Sequence, residues 1–393
     1  MQRAAVLLAA LALPACTDSG EVLTSEPPGS ATPRALALST GDEHGCAIVD
    51  GSIFCWGANA LGQLGLGDTE DRDRPNRVDS ELTFQELAAG SRHTCALSTT
   101  REVFCFGDNS RGQLGRGTRT GEPRPARVAF DRPVTELVCH FEHCCALADD
   151  ASLWCWGKND EGELGQGDAF PSGAAEDADQ LAPVPIGSAR FRAVATGQGH
   201  TCAIRDDGSM WCWGRNSFHE LGPETLDQVR APLQVGADTD WQDVVAGQHH
   251  SCGVRADRSL WCWGRNTALQ NDEGFPLGVG AELVEEPTRV PLPAAVAAVG
   301  TDTFHSCAVD REGKLWCWGR NVEGQLGLSG RELRRTPELV GTGFSLVDPG
   351  RFSTCALSLD KIVLCAGNNP HGELGTADTV QREKLSPLAW FSL

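Results

Sequence analysis

Two cysteines recur at nearly fixed separation seven times along the 393 residues, as Cys46/Cys55, Cys95/Cys105, Cys145/Cys155, Cys202/Cys212, Cys252/Cys262, Cys307/Cys317 and Cys355/Cys365. In six of the seven a histidine stands two residues before the first cysteine (His44, His93, His143, His200, His250, His305), and Ser353 takes that place in the seventh. Sulfur and imidazole in this pattern could ligate a metal or could close disulfides. Zinc is held by closely spaced cysteine pairs that converge from separate turns, whereas a histidine on its cysteine's own strand, with one cysteine opposite, offers too few ligands. The pattern therefore predicts seven disulfides, buried hydrogen-bonded histidines, and neither metal nor cofactor. Three of the 17 cysteines fall outside the pairs: Cys16, Cys139 and Cys144. Cys139 and Cys144 either bond to each other as an eighth bridge or leave Cys144, beside Cys145, to scramble the pairing.

The elements that must position these sulfurs are short strands. In the fourth unit Phe191 to Gly197 alternates in character, His200 to Arg205 follows, Asp206-Asp207-Gly208 turns, and Met210 to Gly214 returns. Pairing Arg205 with Ser209 places Cys202 opposite Cys212. In the first unit the cysteines are one residue closer and the turn is the two-residue Asp50-Gly51, so counting back from Val49 and Ser52 again sets Cys46 opposite Cys55. Directly opposed residues of an antiparallel pair lie within disulfide reach. Each bridge closes a loop of roughly ten residues and contributes at most about 2 to 3 kcal/mol. A later extended piece such as Ala231-Pro232-Leu233-Gln234-Val235, with proline suited to an edge, makes a fourth strand.

Four short strands in each of seven units, repeating every 48 to 57 residues, predict an all-β, seven-bladed β-propeller with one disulfide per blade, occupying residues 36–393. Nine of the 11 tryptophans flank the second cysteine of a unit (Trp56, Trp154, Trp156, Trp211, Trp213, Trp261, Trp263, Trp316, Trp318), on the face opposite the disulfide, where they are expected to fill the space between blades. The GxNxxGQLG segment after each hairpin lacks the lysine and the following helix of a phosphate loop, so its glycines read as tight blade turns. His219 replaces the inner glycine in the fourth copy.

At the N-terminus Arg3 precedes an apolar run, Ala4 to Leu13, with the shape of a secretory signal over residues 1–15. The run ends in Leu13-Pro14-Ala15-Cys16, which resembles a bacterial lipobox; the resemblance implies cleavage before Cys16 and a diacylglyceryl group on its sulfur. Residues 16–35, rich in Ser, Thr, Pro and Gly, then read as a flexible tether. The expected location is a bacterial cell envelope, whose oxidising side permits disulfides, with membrane attachment through the lipid alone. The formal charge of −20 repels phosphate backbones and argues against nucleic-acid binding.

HTCAL followed by LWCWG and GxNxxGQLG is similar to the repeat of the regulator of chromosome condensation family, over about Leu36 to Leu393. The resemblance implies a seven-bladed propeller whose ring is closed by sheet pairing between both chain ends, here Leu36 to Thr40 and Leu385 to Leu393. The family's namesake is a guanine-nucleotide exchange factor that binds chromatin, but the signal segment, the lack of a basic arm and the absence of a matching exchange site oppose that role. A secreted bacterial relative that covers the active site of β-lactamases is nearer in kind. Two long segments would choose a partner: Gln166 to Gly187, with Asp168, Glu176, Asp177 and Asp179, and Asn271 to Pro287, with Asp272, Glu273, Glu282, Glu285 and Glu286. The function expected is a monomeric, non-catalytic scaffold that binds a protein or envelope macromolecule through its loop face. The alternatives are a hydrolase or lyase at the central channel and nucleotide exchange; the histidines mostly follow the repeat, so the sequence presents no catalytic constellation.

Overall fold

The computed structural model describes residues 35–167, 178–224, 226–266, 277–279 and 283–390. They form 28 strands in seven antiparallel four-stranded sheets, each built from four consecutive strands. The seven blades begin with the strands Ala35–Thr40, Phe84–Ala89, Val134–His140, Phe191–Thr196, Trp241–Ala246, Val296–Thr301 and Phe344–Pro349. These first strands touch one another around a closed ring, that of blade 7 against that of blade 1 included, and so line the central channel.

Residue character grades outward from the channel. Second strands such as His93–Ser98 are buried at every position, because neighbouring blades cover both faces. Fourth strands such as Glu122–Arg127, sequence EPRPAR, are half-exposed and carry prolines, which an outer edge tolerates because one side of its backbone has no ladder to complete. In six blades the turn after the third strand needs a left-handed residue, supplied by glycines such as Gly62 (φ 79°) and Gly112 (φ 79°) and held by His219 at φ 59° in blade 4.

Ring closure differs from the expectation. Ala35–Thr40 pairs with His44–Val49, and Arg382–Pro387 pairs with Val363–Gly367, each inside its own blade, so among the described residues no sheet joins the chain ends. Every blade is already complete from one contiguous stretch, which leaves no strand free to cross. Blades 7 and 1 are joined instead by packing of Leu38, Ala47 and Trp56 on Leu357, Leu374 and Leu388, and by an edge-on contact of Trp390 with Phe54 at 5.4 Å. The corresponding residues at the joint of blades 2 and 3, Phe130 and Trp154, meet in the same way at 5.3 Å. Closure is thus one more copy of the joint between neighbouring blades.

Candidate functional site at the channel mouth

The cysteine register is the one the hairpins dictate, and seven intra-blade disulfides form on it: Cys46–Cys55, Cys95–Cys105, Cys145–Cys155, Cys202–Cys212, Cys252–Cys262, Cys307–Cys317 and Cys355–Cys365. In each the two residues stand directly opposite across the second and third strands of the blade. All seven bridges have Cα atoms 4.1 Å apart, and all fourteen cysteines are fully buried. Blade 3 carries an eighth, Cys139–Cys144, between its first and second strands, so that blade departs from one disulfide per blade. Cys16 lies outside the described residues.

The histidines are joint residues. His44 Nε2 lies 2.9 Å from Thr94 Oγ1 of the next blade, and Thr94 in turn donates to the Gln63 carbonyl at 3.0 Å. Because that hydroxyl hydrogen is committed to the carbonyl, Nε2 of the histidine must carry the proton it donates. His143 to Thr201 and His200 to Ser251 repeat the relay at 2.9 Å each. Burial drives His44 down to about 3 and His93 to about 4, so these rings are neutral. Trp56, Trp156, Trp213, Trp263 and Trp318 fill the joints with no exposure, as the alternation predicts. Trp213 Nε1 donates to the Glu163 carbonyl, the acceptor that Thr201 also uses, at 2.8 Å.

At one joint the convergence exceeds what the sequence suggests: His93, Cys95, Cys139 and Cys144 hold potential ligand atoms within 4.8 Å of one another. Both cysteine pairs are closed there, and the thiolate, not the disulfide, is the metal ligand.

Residues that break the repeat gather at the channel. In five units a glycine stands five residues before the first cysteine (Gly41, Gly90, Gly197, Gly247, Gly350), packed so tightly that a Cβ on Gly41 would overlap the Gly90 carbonyl. Blades 3 and 6 have His140 and Asp302 instead. In blade 3 the first strand runs one residue further, His140 pairs with His143, and Phe141 takes the left-handed turn position at φ 47°. The two side chains meet across the ring, His140 Nε2 to Asp302 Oδ2, at 3.3 Å.

Two more carboxyls face this pair. Asp42 sits 3.6 Å from Arg351, and Asp348 accepts from the Thr40 amide at 2.7 Å. Burial, reinforced by the charge of Asp302, pushes Asp42 up to about 6, and burial pushes Asp348 to about 6 against the Thr40 bonds. Burial opposes ionisation of Asp302 too, but the hydrogen bond and charge of His140 outweigh it and hold that carboxyl below its usual range. Burial likewise opposes the His140 cation, and Asp302, Asp42 and Asp348 together outweigh it and raise its pKa. The result is a histidine–aspartate pair in which each partner favours the other's charged form, flanked by two carboxyls pushed up to about 6. His140 Nδ1, the ring atom that would take a nucleophile's proton, is buried and has no hydrogen-bond partner among the described residues.

The first-to-second and third-to-fourth connections of an antiparallel blade leave from the same end, so this cluster shares a face with both long insertions. The residue after each third-strand glycine also lies there, and in blades 3 to 6 it is a cation: Lys158, Arg215, Arg265 and Arg320. Between them stand aromatic rings. Phe304 and Phe352 stack at 5.6 Å, Arg320 lies 5.1 Å from Phe304, and Arg351 lies 5.1 Å from Phe352. Further round, Phe218 meets His249 at 5.0 Å under Arg265 at 4.5 Å. The repeat motifs do not announce this rim; its signal is the single column after LWCWG, which runs Ala58, Asp108, Lys158, Arg215, Arg265, Arg320, Asn368.

The acidic candidates fare differently. Asp179 is buried, accepting from Arg111 Nε and Arg119 Nη1 of blade 2 at 2.8 Å each, so it clamps the foot of its insertion to the neighbouring blade and does not face a partner. A buried carboxylate needs such partners, and two arginines within the chain supply them. Glu285 and Glu286 are exposed on the fourth strand of blade 5. Asp168, Glu176, Asp177, Asp272, Glu273 and Glu282 lie outside the described residues.

A model of the regulator of chromosome condensation (RCC1) repeat matches residues 50–97, 102–147, 150–204 and 207–254, and a second model of that repeat matches 84–113, 134–163, 191–220, 241–270 and 299–325. The ultraviolet-B receptor UVR8 of Arabidopsis thaliana is 28% identical over 325 residues, 78% of this chain and 58% of that protein. The human E3 ubiquitin-protein ligase HERC2 is 27% identical over 318 residues, again 78% of this chain but only 5% of the relative. The chain thus spans little more than half of the first relative and a small part of the second. Among solved structures, one of Kap60 bound to yeast RCC1 (Prp20) superposes with a TM-score of 0.76 at 20% identity over 95% of this chain and 91% of that one. Human WBSCR16 gives 0.72 at 21% identity over 84% and 88%. These likenesses show a common fold.

Proposed function

Because the chain belongs to the regulator of chromosome condensation repeat family, we propose that it is a non-catalytic binding propeller, held at a bacterial cell envelope by a lipid on Cys16, that engages a protein partner through the rim of its channel mouth. The observation that carries this reading is the rim itself: phenylalanines interleaved with arginines, on the face where both insertions emerge. Aromatic and arginine side chains dominate the energetics of protein interfaces because they bury large area and still offer oriented charge. Eight bridges and seven tight joints stiffen the scaffold, which lowers the ordering cost of association. A propeller of the same fold carries a protein partner in the structure of Kap60 bound to yeast RCC1.

Affinity capture from intact cell envelopes, with the full chain and with a Phe304→Ala/Phe352→Ala variant, tests the rim. The parent should retain a specific protein that the variant loses; identical captures would remove the rim from recognition. Mass analysis of the mature N-terminus tests the anchor, which requires a diacylglyceryl group on Cys16 and its loss in Cys16→Ser.

A further inference from the structure

At two joints the hydroxyl that receives the preceding blade's histidine also lies against that blade's first cysteine: Thr94 Oγ1 is 4.0 Å from Cys46 Sγ, and Ser251 Oγ is 3.5 Å from Cys202 Sγ. In blade 3 this position is Cys144, so a sulfur takes the hydroxyl's place. Its Sγ is 3.8 Å from Cys95 Sγ of blade 2 and 3.1 Å from His93 Nε2. Cys144 is bonded to Cys139, and Cys95 to Cys105, so two disulfides of different blades abut across one joint. We propose that the joint between blades 2 and 3 is a thiol–disulfide exchange centre, in which a dithiol reductant converts the two intra-blade bridges into a single Cys95–Cys144 bridge that ties the blades together.

The point of entry is Cys139, which keeps 8% exposure while Cys95, Cys105 and Cys144 have none. A thiolate of the dithiol attacks Cys139 Sγ, forms a mixed disulfide there, and expels Cys144 as a thiolate. By the tautomer the other joints impose, His93 carries its proton on Nε2 and donates it in a hydrogen bond to that thiolate, favouring the charged form. The Cys144 thiolate attacks Cys95 Sγ, making Cys95–Cys144 and breaking Cys95–Cys105, and Cys105 leaves and takes up a proton. The second thiol of the reductant resolves the mixed disulfide and frees Cys139 as a thiol. In sum the dithiol becomes a disulfide, its two hydrogens end on Cys105 and Cys139, and one inter-blade bridge stands where two intra-blade bridges were.

The full chain, treated with graded dithiothreitol, quenched by alkylation and mapped by mass spectrometry without further reduction, tests this. The first reduced species should carry label on Cys105 and Cys139 and a cross-linked peptide pair containing Cys95 and Cys144. Label on Cys139 and Cys144 with Cys95–Cys105 intact overturns the proposal, as does opening of the other six bridges before this pair. A second arm uses the Cys105→Ser/Cys139→Ser chain, its fold checked by near-ultraviolet circular dichroism. Oxidation in air should abolish both remaining free thiols of the cluster, and persistence of reactive Cys95 and Cys144 in the folded variant sinks the idea.

Discussion

The joints between blades and the mouth of the channel use different columns of the same repeat, and to opposite ends. At the joints a histidine, a hydroxyl, a carbonyl and usually a tryptophan return in nearly every blade with contacts alike to a few tenths of an ångström. At the mouth a glycine column turns into His140 and Asp302, and the column after LWCWG changes from alanine to arginine. Uniformity marks what every blade needs in order to pack on its neighbour. Departure from it marks what the assembled ring does only once, at its centre and along one arc of its rim.

Five variants would break or sharpen that contrast. Trp213→Ala, which empties a joint, should cost about 3 to 5 kcal/mol of stability in chemical denaturation; a loss under about 1 kcal/mol would mean the joints are not what holds the ring. Trp390→Ala and Phe130→Ala should cost similar amounts, roughly 2 to 4 kcal/mol each, if the closing joint is equivalent to an internal one. A much larger loss for Trp390 would single out the seam.

Asp348→Asn addresses the channel. Asp42 and Asp348 titrate at about 6 in the folded chain, against 3.8 for an ordinary aspartate, so between those values the folded chain binds protons that the unfolded chain has released. Their stabilising contribution is complete below about pH 4 and declines as pH rises to about 6. Asn keeps an acceptor for the Thr40 amide without the buried charge, so the variant should be more stable than the parent by roughly 1 to 2 kcal/mol at about pH 7 and lose less stability between about pH 4 and 6. An unchanged profile of melting temperature against pH would show that Asp348 does not titrate there. The smallest effect is expected for Glu285→Gln/Glu286→Gln, within about 0.5 kcal/mol in stability by chemical denaturation, because both are exposed.

The hairpin register, the seven cysteine pairs and the buried tryptophans were legible because a repeat supplies seven parallel trials of the same local geometry. Two residues opposite each other in a hairpin need only a turn length to be placed, as Cys46 and Cys55 show. The meeting of His140 with Asp302 was not legible, since 162 positions separate them and only closure of the ring brings them together. Its trace is there nonetheless, in a column where glycine gives way twice. Asp179 failed as a surface residue for a related reason: the arginines that bury it belong to the blade before, and nothing local announces them.

The described chain starts at Ala35, whose amide bonds to the Lys361 carbonyl in a turn on the side of the ring remote from the mouth, and Pro387 closes the last strand on that same side. A leash running from Cys16 to residue 35 would therefore attach beneath the disc. Were the proposed lipid on Cys16 present, the aromatic and arginine crown would stand on the face of the disc opposite that attachment.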